Sequence, residues 1–152
     1  MQPEESIVQL LRQDEYTCVL KRANLGFVSK EEGFIPLLQW LNTGMNFSGA
    51  MAAAKSVGKA EAFIYAVMKV ACVYADIISS PALGVLQQNQ IAVQYKKLIP
   101  AMMNASGDIC TAETALLQVN DLQKGIEVLR SIREDMLKNT ATLETHSHKK
   151  HG

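Results

Sequence analysis

Histidine is missing from the first 145 residues; His146, His148 and His151 all fall in the last seven. Unless that tail folds back, core chemistry must do without imidazole. The tract HSHKKH is at most a compositional hint of metal binding. Cysteine is nearly as scarce. Cys18, Cys72 and Cys110 are odd in number, far apart and outside any Cys-x-x-Cys spacing, which argues against a disulfide framework and for reduced thiols. No phosphate-binding GxxxxGK[ST], dinucleotide-binding GxGxxG or nucleophile-elbow GxSxG occurs, and no Glu-x-x-His pair offers a di-iron ligand set. No cofactor or metal is therefore expected.

An excess of charge is absent too. Lys plus Arg and Asp plus Glu each total 15, and the balance persists in each half of the chain. With no basic field to neutralise phosphates, nucleic acid is not an expected partner. The first residues, MQPEES, carry acids where a secretory signal carries basic residues, so a cytoplasmic protein is expected. At 152 residues and 48% hydrophobic content, the chain suits one domain with a core of its own.

Between its glycines and prolines, the apolar residues recur at three and four, the helical period. This predicts helices over about 3–24, a short one from Pro36 to before Gly44, one from Ser48 to Ser79, one from Ser80-Pro81 to Pro100, and one from Asp108 to Asn139. The expected fold is all-α: a somewhat elongated antiparallel bundle of four main helices plus one short helix over residues 1–139, with a disordered His/Lys tail at 140–152. The two helices of about 32 residues would each be about 48 Å long if straight, too long for a compact domain about 40 Å across, and Gly58 is the natural break in the earlier one.

The apolar run at 60–79 approaches the length of a membrane span. Glu61, Tyr65, Lys69, Cys72 and Asp76 recur along one stripe, and Lys69 and Asp76 would each cost about 2.5–3.5 kcal/mol at mid-bilayer. A central bundle helix wetted along one edge is the expected solution, with membrane insertion of 60–79 the alternative.

Function is read from what remains. Between Val70 and Gly107 the only charges are Asp76, Lys96 and Lys97, and Gln87, Gln90, Gln94 and Lys97 form a polar stripe on the helix expected there. Charge depletion of this kind marks interface cores. The expected function is a non-catalytic interaction or assembly module, self-associating through 81–107. Trp40 serves as core anchor or partner hot spot, and Met102 and Met103 as adaptable contacts. A second alternative is a thiol enzyme using Cys110, which the expected helix at 108–139 would hold in its first turn, where the dipole lowers a thiol pKa. Cys18 is read as core and Glu113 as outward-facing.

Overall fold

The computed structural model describes residues 5–104 and 106–151, with side chains from 6 through 138 apart from residue 105. The all-α expectation is overturned. The chain is an α/β fold in the order α1 (Glu5–Gln13), β1 (Cys18–Arg22), β2 (Leu25–Ser29), α2 (Ile35–Asn42), β3 (Met51–Val57), α3 (Lys59–Met68), β4 (Cys72–Ser79), α4 (Ser80–Gln88), β5 (Ala92–Ile99), α5 (Thr111–Ala115) and α6 (Leu122–His151). The strands form one mixed sheet in the order β2-β1-β3-β4-β5. β1 is antiparallel to both β2 and β3, whereas β3, β4 and β5 run parallel, joined by α3 and α4.

Three of the expected long helices dissolve into this pattern. The 3–24 segment is α1 followed by β1; 48–79 is β3, α3 and β4; and 81–100 is α4 followed by β5. The reason lies in how the sheet is covered. Val19, Ala53 and Tyr74 meet Ile7 and Leu11 of α1 on one face. Leu20, Ala52, Ala54, Val73 and Ala75 join the main core with residues of α2, α3 and α4 on the other. A strand buried on both sides has no polar face, so its sequence shows an apolar run rather than alternation. The alanines of β3, helix formers by propensity, are strand because tertiary burial overrides propensity.

Turn chemistry conceals the boundaries as well. Glu15, Ala23, Lys69 and Gln90 all have positive φ, and none is glycine. Ala23 and Asn24 form the two-residue loop joining β1 to β2, and Lys69 at φ 61° ends α3 in the left-handed conformation. Without a glycine there, α3 and β4 read as one helix. At the other end of β4, Ser79 rather than Ser80 caps α4, its Oγ accepting from the Ala82 N–H at 3.3 Å.

Two contacts fasten the outer layers. Arg12 of α1 grips Asp76 of β4 through both guanidinium nitrogens, Nη1 to Oδ2 at 2.7 Å, while the Tyr74 hydroxyl donates to Asp76 Oδ1 at 2.7 Å. The hydrogen bond from Arg12 holds the Asp76 carboxyl below its ordinary pKa. On the opposite side, α6 lies against α3 at Gly125, where an added Cβ would stand 3.1 Å from the Phe63 ring, and it buries Ile126 and Leu129. The single helix expected over 108–139 is interrupted, with residues 116–121 separating α5 from α6. The expected tail, 140–152, lies outside the residues whose side chains are described. Among the described residues, no helix is long and apolar enough to cross a membrane.

Left-handed backbone costs a residue with a Cβ about 1–2 kcal/mol, offset in part by the entropy glycine adds to the unfolded chain. Lys69→Gly is therefore expected to raise stability by about 0.5–1 kcal/mol in urea unfolding; a loss would contradict the assigned role of this turn.

Candidate functional site

A cavity of about 430 Å³ opens where β1 and β3 lie side by side. Because β1 is antiparallel to β3, its first residues stand beside the carboxyl end of β3. Thr17 and Cys18 thus meet Ala54, Lys55 and Ser56 on this rim. Glu31 and Glu32, after β2, form another part of the wall, and Met102, Met103, Asn104 and Cys110 close the far side. Asn104 holds that far segment in a turn, its Oδ1 accepting from the N–H groups of Ser106 at 3.0 Å and Asp108 at 3.1 Å.

The chemistry gathers at the start of α3. Glu61 Oε2 accepts from the Gly58 N–H at 3.2 Å, and Glu113 of α5 reaches across to accept from the Lys59 N–H at 2.8 Å. Two carboxylates thus satisfy donors that a helix start leaves open. Gly58 makes room for both: a Cβ there would lie 2.7 Å from Glu113 Oε2, 3.2 Å from Glu61 Oε2 and 3.3 Å from Met102 Cβ. Glu113 is 2% exposed, which corrects its expected outward placement, and its Oε1 has no partner. The Lys59 ammonium turns away, donating to the Leu117 carbonyl at 3.3 Å.

Burial pushes the Glu61 carboxyl up to about 7, and the negative charge of Glu113 adds to the shift. One turn further on, Tyr65 lines the same cavity, fully buried with its hydroxyl unpartnered. Desolvation raises its pKa well above 10, with smaller contributions from the nearby Cys18 and Glu61. The Cys18 thiol is likewise pushed up by burial to about 11. Rather than a nucleophile, Cys18 is an inert part of the wall. Among the described residues, no three His, Cys, Asp or Glu side chains cluster as metal ligands.

The residues singled out from sequence are divided by this geometry. Met102, Met103 and Cys110 come together on the cavity wall. Cys110 immediately precedes the five-residue α5 and not, as expected, the first turn of a long helix. Trp40 packs against Phe27 with ring centroids 5.6 Å apart, on the flank of the core. Gln87 ends on α4, Gln90 in the turn after it, and Gln94 and Lys97 on β5, all exposed, so they share no helical stripe. The expected wet edge through Glu61, Tyr65 and Cys72 is corrected as well: Tyr65 and Cys72 are fully buried, and part-buried Glu61 faces the cavity. The one sequence signal for the site is Gly58 followed at three by Glu61 and at seven by Tyr65, half a capping box with a tyrosine on the same helical face.

A family model described as a domain of unknown function, DUF1893 (TM1506), matches residues 6–133, which include every residue lining the cavity. The fold is similar to the crystal structure at 2.70 Å resolution of a DUF1893 family protein (TM1506) from Thermotoga maritima. The TM-score is 0.77 at 25% sequence identity, over 83% of this chain and 86% of that one. No curated protein matches.

A carboxyl whose folded pKa lies near 7, against an ordinary 4.5, binds more protons in the native than in the unfolded state across that interval. Stability is therefore expected to fall as pH rises from about 4.5 to about 7. Glu61→Gln keeps an acceptor for the Gly58 N–H but removes the charge. It should stabilise the protein at about pH 8, by at most about 3 kcal/mol, and leave it unchanged at about pH 4. Urea unfolding at the two pH values reads the difference; equal effects at both would contradict a buried, titrating Glu61.

Proposed function

The chain belongs to the DUF1893 family, and we propose that it binds a small molecule in the cavity beside Glu61 and exchanges a proton with it through that carboxyl. The supporting observation is a part-buried acid, its pKa raised by burial, in a concave site at the carboxyl end of β3. In open α/β sheets, ligands settle in the crevice outside the carboxyl ends of the strands, where the connections change direction. Here the change falls between β3, which starts the parallel run toward β5, and antiparallel β1. A perturbed acid in such a crevice marks a functional site.

The proposed activity is binding with proton exchange at Glu61, the acid that lines the cavity with its pKa raised by burial. The three free thiols, two of them buried, fit a reducing cytoplasm. Fragment screening by amide NMR tests the cavity reading. Hits should shift signals of Tyr65, Met102 and Cys110, and Glu61→Gln should weaken them by about tenfold, the worth of one charge-assisted hydrogen bond. Fragments that cluster elsewhere, or none that bind, would refute it.

A second reading keeps assembly through residues 81–107. It is favoured by β5, an edge strand exposed from Gln94 to Leu98, with Tyr95 and Leu98 each 43% exposed. Open strand edges recruit further strands, although the side chains of Lys96 and Lys97 oppose pairing of two such copies. Light scattering should find a dimer that Tyr95→Pro converts to monomer; a wild-type monomer at high micromolar concentration would remove this reading.

A further inference from the structure

Resting on the cavity reading, we infer that the ligand is a small organic cation rich in N–H donors, an amine or amidine, whose binding to Glu61 expels a proton to solvent. Three carboxylates, Glu31, Glu32 and Glu61, line the cavity against a single ammonium, Lys55. A fourth, Glu113, is buried directly behind Glu61. Lys59, at the start of α3, is committed to the Leu117 carbonyl and lies over the Phe63 ring at 5.8 Å.

The uncommitted polar atoms lead to the same class independently of charge. Tyr65 lines the cavity and its hydroxyl is buried and unpartnered, and the Glu61 carboxyl on the same helix lines it too. A carboxylate only accepts and a phenol hydroxyl can accept, so the complementary molecule is one that brings donors. The thioethers of Met102 and Met103 and the Tyr65 ring give the remaining wall a soft, polarisable character suited to a delocalised cation. An anion would add negative charge beside the part-buried Glu61 and the buried Glu113, and a neutral amide offers fewer donors and no charge to balance an ionised Glu61.

The proton step follows from the surroundings of Glu61. Burial disfavours its ionised form most, backbone N–H groups of Glu61 and Gly58 offset part of this, and the charge of Glu113 on α5 adds to it; Glu31 and Glu32 after β2, Lys55 on β3 and the neutral Cys18 on β1 and Tyr65 on α3 share the cavity wall. The free carboxyl is therefore substantially protonated near neutrality. When the cation enters, the O–H bond of Glu61 breaks, its proton passes to bulk water, and the carboxylate accepts from the ligand N–H.

Calorimetry of the full chain with benzamidinium, benzamide and benzoate, an isosteric set differing in charge, provides the test. Benzamidinium should bind best, and its affinity should rise by up to about tenfold per pH unit toward about 7 and then level off. Buffers of different ionisation enthalpy should report release of a fraction of a proton, and Glu61→Gln should abolish that release and cost at least about tenfold in affinity. Tyr65→Phe, which removes only the hydroxyl, should weaken binding without altering proton release. Benzamide or benzoate binding as tightly, with Tyr65 signals shifted, would overturn the cation inference and leave the cavity reading standing. Failure of all three to bind at millimolar concentration, or benzamidinium binding that ignores Glu61→Gln, would overturn both.

Discussion

The first turn of α3 governs the architecture around it. Two backbone donors, the N–H groups of Gly58 and Lys59, are held by the carboxylates of Glu61 and Glu113, which are drawn together because Gly58 has no Cβ. This ties α5 to α3 across 54 residues of sequence and brings the segment from Met102 to Cys110 over the carboxyl end of β3. The same closure shields Glu61 from water, so the interaction that builds the cavity also sets the chemistry of its acid. A helix start favours negative charge, but burial and the like charge of Glu113 outweigh that preference here.

Much of the architecture was hidden in the chain for one physical reason. Helices cover both faces of the sheet, and the central strands carry small or apolar residues on each side, so Met51–Val57 and Cys72–Ser79 lack the alternation by which strands are recognised. Local punctuation did not correct the reading, since Ala23, Lys69 and Gln90 stand where glycine or asparagine ordinarily signals a turn. Where punctuation was conventional, the reading came close: Pro36 lies in the first turn of the short α2, and Pro81 in the first turn of α4. The helical period through Ile126 and Leu129 was legible because α6 is covered on one side only.

The site was less legible than the fold. Its members come from β1, the segment after β2, β3, α3 and the loop leading to α5, and only topology brings them together. Met102, Met103 and Cys110 were noticed singly, for softness or reactivity, and prove to share one wall. Glu113 was indistinguishable from the solvated acids around it, because nothing in ETALL reveals that its carboxylate caps another helix. Glu61 and Tyr65, four residues apart, were visible as neighbours on a helix face; that the face borders a cavity rather than solvent follows only once Thr17 and the first residue of the antiparallel strand, Cys18, stand opposite.

The cavity and the chemistry proposed for it depend on the protonation of a single carboxyl. A carbon-13 NMR titration of the glutamate side chains, with Glu61 assigned by comparison with Glu61→Gln, measures it directly. The structure predicts a midpoint for Glu61 near 7. A midpoint at the ordinary carboxylate value, about 4.5, would mean that water reaches this group freely and that the cavity does not enclose it as described.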